Sequence, residues 1–331
     1  MVRVRLPLAD DPLAIVEPDG SDVLAALTPA EILSLHRAHG ALLLRGFSWD
    51  LGDFARFARA LCPTAAINES PGRELLDGDS AVQTVNTGDD AFPLHPELSR
   101  EAWKPDAALF ACVTPPGAGG ETTVCDGVEL VRRLDPALRA AMLARRIVHL
   151  FPTWPGLFAF WLGTPEPSDA LLAAPPPTCP YRFHRTPDGN VVRSFTRPFL
   201  HAPMFTDAPA FGNFLLFARD HGGRRDFPLL DDLSPVPDSW VDAIRAAGAA
   251  CERAVDWRAG DIVVLDNTRF LHGRRAIPDP AGRCIATYFG YLADAPRNPE
   301  EPTLPPWRKS DFRPPLNPAM AARISPLIRS S

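Results

Sequence analysis

Gly260-Asp-Ile-Val-Val-Leu-Asp-Asn-Thr-Arg-Phe-Leu-His272-Gly-Arg274 is the stretch from which the rest of the chain can be read. Residues 261–266 predict a strand, apolar in the middle and bounded by turn residues. A polar turn follows and delivers His272. Eleven residues further on, Arg283 opens a second apolar strand that runs to residue 292. A charged side chain there needs a partner if it points inward. Its guanidinium offers a bidentate fork for a carboxylate. An arginine at the solvent rim of the strand is the plainer alternative. By itself His272 reads more readily as a structural histidine than as a ligand.

His95-Pro96-Glu97 supplies what His272 lacks. Side chains alternate along a strand, so residues 95 and 97 share a face and can reach one metal ion. The triplet alone carries little: with 8 histidines and 40 acids in 331 residues, about one such pair arises by chance. A surface His and Glu in a loop is the competing reading. Two histidines and one carboxylate make the facial triad of non-haem Fe(II) oxygenases, leaving three coordination positions open. A 2-oxo acid can chelate through two of them and dioxygen can take the third. Gly119-Gly-Glu-Thr122 adds a turn followed by a hydroxyl that could serve the same carboxylate as Arg283.

Further out, Thr28-Pro-Ala-Glu31 predicts a capped helix ending at Gly40, followed by a buried strand over 41–46. A second helix over 51–61 stops at Pro63. Residues 81–86 and 107–113 read as strands, 135–146 as a helix, and 237–253 as another. Residues 150–235 are expected to be an irregular, proline-rich insertion with short strands around 191–195. The tail, 298–331, is again proline-rich and is expected to wrap the surface or to be partly disordered. Strands that pair over long gaps, with helices near the N-terminus, predict a mainly β fold with flanking α-helices and a jelly-roll core.

Composition narrows the function classes. The 38 prolines argue against a helical bundle. A net charge of −6 with no long basic run argues against nucleic-acid binding. No apolar run is long enough to span a bilayer, and the first ten residues lack the pattern of a secretory signal. A soluble, cytoplasmic protein is expected. Six widely spaced cysteines without a C-x-x-C pair read as buried, reduced thiols. Only Lys104 and Lys309 are lysines, so arginine is nearly the only cation available to hold an anion.

In order and spacing, several segments resemble the TauD/TfdA family of Fe(II)- and 2-oxoglutarate-dependent dioxygenases, in its SyrP-like or clavaminate-synthase-like branch. They are His95-Pro-Glu-Leu-Ser99, the run from Ala111 through Thr122 to Asp126, Asp266-Asn-Thr-Arg-Phe-Leu-His272-Gly-Arg274, Arg283 at its offset, and Leu44-Arg45-Gly46-Phe47. The resemblance implies one dioxygenase domain over 1–331, with a double-stranded β-helix core at about 40–295. It implies iron held by His95, Glu97 and His272, and 2-oxoglutarate held by Arg283 with Thr122. Oxidative decarboxylation to succinate would then drive hydroxylation of an unactivated C–H bond.

Departures from the family pattern sharpen the substrate. Glu97 stands where most of the wider family has Asp, which resembles the subgroup acting on amino acids and their derivatives. Its presence disfavours halogenation, because related halogenases lack this carboxylate. Thr287 stands where relatives that bind a sulfonate or a free α-carboxylate often have a second arginine. Arg193, Arg197, Phe195 and Phe199 in the insertion, and Asn86, are candidate substrate contacts, the first four as a lid in which an arginine holds an anion and a phenylalanine excludes water. The expected activity is hydroxylation of an amino-acid-like small molecule, with natural-product biosynthesis as its candidate setting. The alternatives are a carrier-protein-tethered aminoacyl substrate, or desaturation or cyclisation. A non-catalytic jelly-roll binding protein is the competing class, and the intact set His95, Glu97, His272 and Arg283 argues against it.

Overall fold

The structure is a computed structural model and describes the whole chain except residues 1, 9–10, 71, 77–80, 87, 279–281, 297, 299–300, 311 and 316–331. In chain order the strands are β1 (Val2–Arg5), β2 (Ala14–Pro18), β3 (Ala41–Leu44), β4 (Thr64–Ala65), β5 (Gln83–Thr84), β6 (Phe92–His95), β7 (Ala107–Thr114) and β8 (Thr122–Asp126). There follow β9 (Arg146–Pro152), β10 (Arg182–Arg185), β11 (Val191–Pro198), β12 (Leu229–Leu230), β13 (Arg253–Ala254), β14 (Ile262–Asp266), β15 (Phe270–Arg274) and β16 (Cys284–Tyr291). The α-helices are α1 (Pro29–His39), α2 (Leu51–Leu61), α3 (Gly127–Arg132), α4 (Pro136–Leu143), α5 (Pro155–Leu162), α6 (Asp169–Ala173) and α7 (Asp238–Cys251).

A large sheet in the order β1-β2-β3-β14-β7-β16-β4, with β5 also on β16, faces a small sheet in the order β13-β8-β15-β6. Period-two alternation builds this sandwich. Leu43 points inward to a cluster that joins Phe110, Val263 and Phe289 of the large sheet to Val124 and Phe270 of the small one. Leu42 and Leu44 point outward, to Ile32 of α1 and Phe54 of α2. On the far side, Cys125 and Leu271 pack against Leu130 of α3 and Ile244 of α7. Each fully buried side chain of this kind contributes about 1.5–3 kcal/mol. The fold is the mainly β, two-sheet arrangement expected, with helices on the outer faces.

Local signals place the elements well at the N-terminus. The capping box forms as read: Thr28 Oγ1 accepts from the Glu31 amide, and the Glu31 carboxylate accepts from the Thr28 amide. Gly40 closes α1 in the left-handed region at φ 76°. Two expectations need correction. Only Gln83–Thr84 forms a strand within 81–86. Residues 150–235 are only partly irregular: β9, which starts at Arg146, joins β10, β11 and β12 in a third sheet, order β10-β11-β9-β12. The described part of the tail is pinned, with Trp307 buried and Arg308 forked onto Asp106. All six cysteines are free. No helix among the described residues is long and apolar enough to cross a membrane.

Three histidines lie in the core away from the candidate site. His149 of β9 stacks on Phe195 at 4.5 Å, His201 Nε2 donates to the Thr268 carbonyl at 2.7 Å, and His36 of α1 meets the Phe205 ring edge-on. Burial above all lowers their proton affinity, to about 4 for His36, about 3 for His201, and well below the ordinary value for His149. In the unfolded chain each titrates near 6.5. Below that pH the unfolded state takes up protons that the folded state refuses, so stability is full above 6.5 and falls as the pH drops toward 4. Each histidine should remove about 1.4 kcal/mol per pH unit in that window. Urea midpoints at pH 7.5 and 5.0 check this; equal midpoints would contradict it.

Candidate metal centre and co-substrate cleft

His95, at the end of β6, stands directly opposite His272 of β15, and β8 flanks β15 on its other side. Their ring centroids are 4.5 Å apart. This approach requires Gly273. A Cβ there would lie 2.7 Å from the Phe92 carbonyl oxygen and 2.8 Å from Thr123 Oγ1, so only glycine lets β6 lie this close. Glu97 follows in the turn after β6. Its amide donates to Asn267 Oδ1 at 2.7 Å, while Asn267 Nδ2 donates to the carbonyls of Glu97 and Pro105. Asn267 lies in the turn between β14 and β15, so the turn that delivers His272 also locks Glu97. Leu98 then reverses the chain at φ 50°, a left-handed conformation that costs a residue of its kind about 1–3 kcal/mol and recurs at functional sites.

One ligand atom from each of His95, Glu97 and His272 falls within 4.8 Å of the others. His95 Nδ1 lies 2.8 Å from the Pro93 carbonyl, which can only accept; Nδ1 therefore carries the proton, and Nε2 keeps its lone pair. His272 Nε2 sits 3.6 Å from Glu97 Oε2. Phe217 and Phe110 pack on the two imidazoles at 4.6 and 4.9 Å. Burial, then neighbouring His272, pushes His95 down to about 3, so it is neutral at physiological pH. Burial would raise Glu97, but the Arg73 guanidinium and His272 together hold its carboxyl below the usual range. Two imidazoles and one carboxylate form a mixed N/O donor set suited to Fe(II).

These three side chains line a cavity of about 90 Å³ together with Thr122, Arg283 and Asn86. Arg283 is pushed down to about 10 by burial and then by the Arg274 guanidinium, and its buried Nε has no hydrogen-bond partner among the described residues. A desolvated cation with an orphaned donor fits a carboxylate that arrives with a ligand. Thr122 Oγ1 accepts from Trp257 Nε1 at 3.1 Å, which leaves its own proton to donate toward the cavity. Arg274 is committed elsewhere, to the carbonyls of Asn86 and Asp90 and to the face of Phe92.

The insertion reaches the cavity through residues other than those expected. Arg193, Phe195 and Arg197 do not line it. Arg193 is buried against Phe151, Trp154 and Tyr181 and donates to the Pro152 carbonyl. Phe195 is the ring under His149, and Arg197 donates to the carbonyls of Glu101 and Ala102. Phe199 is buried against Phe211 and Trp240. These side chains serve the third sheet and its surroundings. Phe214 and Phe217 form the cavity wall instead, their rings stacked at 5.1 Å, and Phe217 opens a π-helical turn, Phe217–His221. Their i, i+3 spacing was the one sequence signal available for them.

Asn68, Ser70 and Arg73 also line the cavity, from a stretch whose sequence carries no periodic signal. Arg73 Nη1 donates to Thr287 Oγ1 at 3.2 Å and its Nε to Asn86 Oδ1 at 2.8 Å. The position where a second strand-borne arginine was missing is thus reached by a guanidinium from elsewhere in the chain.

Residues 9–287 match the sequence profile of a family described as taurine catabolism dioxygenase TauD, TfdA family. Among solved structures, a taurine dioxygenase from Burkholderia xenovorans superposes with a TM-score of 0.60 at 17% identity, covering 90% of this chain and 92% of that one. The PvcB protein from Pseudomonas aeruginosa gives 0.53 at 19%, covering 90% and 94%. A PvcB structure described as an Fe, alpha-ketoglutarate dependent oxygenase from an isonitrile synthetic pathway gives 0.56 at 18%, with 90% and 94% covered. At these identities the likeness is one of fold. No curated protein matches the sequence significantly.

The close approach at Gly273 yields a direct expectation. Gly273→Ala should drive β6 away from β15 and destabilise the protein by about 1–3 kcal/mol. Urea denaturation measures this; an unchanged midpoint would show that β6 is not held as described.

Proposed function

This chain belongs to the TauD/TfdA family of dioxygenases, and from that premise we propose an Fe(II)- and 2-oxoglutarate-dependent enzyme that hydroxylates an unactivated C–H bond of an amino-acid-like small molecule. One observation carries the proposal: the His95, Glu97 and His272 cluster shares a single cavity with Arg283, whose buried Nε has no partner among the described residues. The donor set and the orphaned cation match the two groups such an enzyme must hold.

In this reading His95 Nε2, His272 Nε2 and a Glu97 oxygen hold the metal. Arg283 and Thr122 hold the distal carboxylate of 2-oxoglutarate. Iron bound there with that co-substrate and dioxygen supplies the oxidant for C–H hydroxylation, the co-substrate leaving as succinate and carbon dioxide. The protein's own part is positioning and exclusion. The Pro93 carbonyl keeps the proton on His95 Nδ1, so the lone pair of Nε2 stays directed at the site. Asn267 fixes the Glu97 backbone. Phe92, Phe110, Phe214 and Phe217 wall the cavity with aromatic surface and exclude water.

The cavity is lined by aromatic residues and by polar ones, among them Asn68, Ser70, Arg73, Asn86 and Arg100. Such a lining supports a small substrate with both apolar and charged parts. Glu97 in the carboxylate position supports an amino acid or a derivative of one. The isonitrile pathway named for the PvcB relative supports a role in natural-product synthesis. Six free thiols support a reducing, cytoplasmic setting.

Anaerobic titration with Fe(II) and 2-oxoglutarate should produce the weak visible charge-transfer band of an iron-chelated 2-oxo acid. Absence of both the band and metal uptake would favour a binding protein without iron chemistry. Glu97→Ala should abolish substrate-coupled succinate formation, and turnover at the original rate would remove Glu97 from the metal site. Arg283→Leu should raise the apparent KM for 2-oxoglutarate at least ~10-fold, since a charge-assisted hydrogen-bond pair is lost. An unaltered KM would take the co-substrate away from Arg283.

A further inference from the structure

Glu97 carries two hydrogen-bond donors that belong neither to the triad nor to the Arg283–Thr122 pair. Asn68 Nδ2 donates to Oε1, and Arg73 Nη2 donates to Oε2 at 3.3 Å. Oε2 is also the oxygen that lies 3.6 Å from His272 Nε2. Asn68 is itself held on every side. Its amide N–H donates to Gln83 Oε1 at 3.0 Å, and Gln83 Nε2 donates back to the Asn68 carbonyl at 3.0 Å. Asn68 Oδ1 accepts from the Ser70 amide at 2.9 Å, which fixes the side-chain amide with Nδ2 toward Glu97. Gln83 lies in β5, paired on β16 opposite Thr287, and Gln83, Asn68 and Glu97 are all buried.

We propose that Gln83 and Asn68 form a relay that positions Glu97 for metal coordination. Asn68 holds Oε1, which leaves Oε2 turned toward His272. Gln83 does not touch Glu97 and acts only by docking Asn68. The relay spans the sandwich: an edge strand of the large sheet sets the angle of a carboxylate at the end of the small one. The physical need follows from the residue type. Glutamate has one more rotatable bond than aspartate, so its carboxylate samples more positions unless a partner fixes it. Asn267 fixes only the backbone of Glu97; Asn68 fixes the end of its side chain. Loss of a partner that orients a metal ligand typically costs 10–100-fold in metal affinity. Both residues are positioning residues, and the inference rests on the metal role proposed above.

The test is Mn(II) binding to the full chain, read from the EPR signal of free Mn(II), without turnover. Asn68→Leu should weaken binding ~10–100-fold. Gln83→Leu should weaken it in the same direction. The double variant should bind no more weakly than Asn68→Leu alone, because the effect of Gln83 passes through Asn68. A merely structural role for either residue would not produce that non-additivity. Additive losses, or wild-type affinity in Asn68→Leu, would overturn the relay. Should Asn68→Leu fail to fold by circular dichroism, Asn68→Ser and Gln83→Met replace the leucine variants, with the same expectations. Wild-type protein that binds no Mn(II), or Glu97→Ala that binds it as well as wild type, would instead overturn the metal site itself.

Discussion

The pairing of β6 with β15 is the constraint on which the site depends. Side chains alternate with period two, so a slip of one residue would turn His272 to the opposite face from His95. The register is held at two points: Gly273 admits the Phe92 backbone, and Asn267 clamps the backbone of Glu97. Within β6, the Pro93 carbonyl accepts the His95 ring proton and orients the ring. Each contact lies within a few residues of a proposed ligand. The two-sheet core behind them supplies the rigid frame that such a constellation requires.

Charge balance gives the cavity its second character. Four arginines, Arg73, Arg100, Arg274 and Arg283, line it beside the single carboxylate Glu97. Three are engaged: Arg73 with Glu97, Asn86 and Thr287, Arg100 with Glu101, and Arg274 with backbone carbonyls. Arg283 keeps a buried donor without a partner. In a site of low dielectric such a surplus favours anionic ligands strongly, and geometry decides which cation meets which anion. The proposed co-substrate is a dianion and meets the one guanidinium left open.

Features carried by a local pattern were legible in the sequence. The capping box of α1, the apolar runs of β7, β14 and β16, and the polar turn before His272 follow from spacing alone. Asn86, expected as a substrate contact, lines the cavity, although only a short strand precedes it. Residues whose role is set by tertiary approach were not legible. Arg193, Phe195 and Arg197 alternate along β11 and share one face, as the sequence suggests. Nothing in the sequence says that this face meets His149, Phe151 and Tyr181 and not the cavity. Arg73 and Asn68 sit in a stretch without periodicity, and their importance exists only once β5 docks on β16.

The sheet order β13-β8-β15-β6 leaves β6 as an outer strand, and Phe92-Pro93-Leu94-His95 carries a proline at its second position. An outer strand normally invites another chain to pair with it, and a strand at the mouth of a cavity does so where blockage would matter most. Proline has no amide proton to offer a newcomer. Pro93 therefore does two things with one backbone unit: its carbonyl serves the His95 ring, and its missing N–H discourages an intruding strand. The strand that carries a proposed ligand is shielded from edge-on pairing by the same residue whose carbonyl sets that ligand's tautomer.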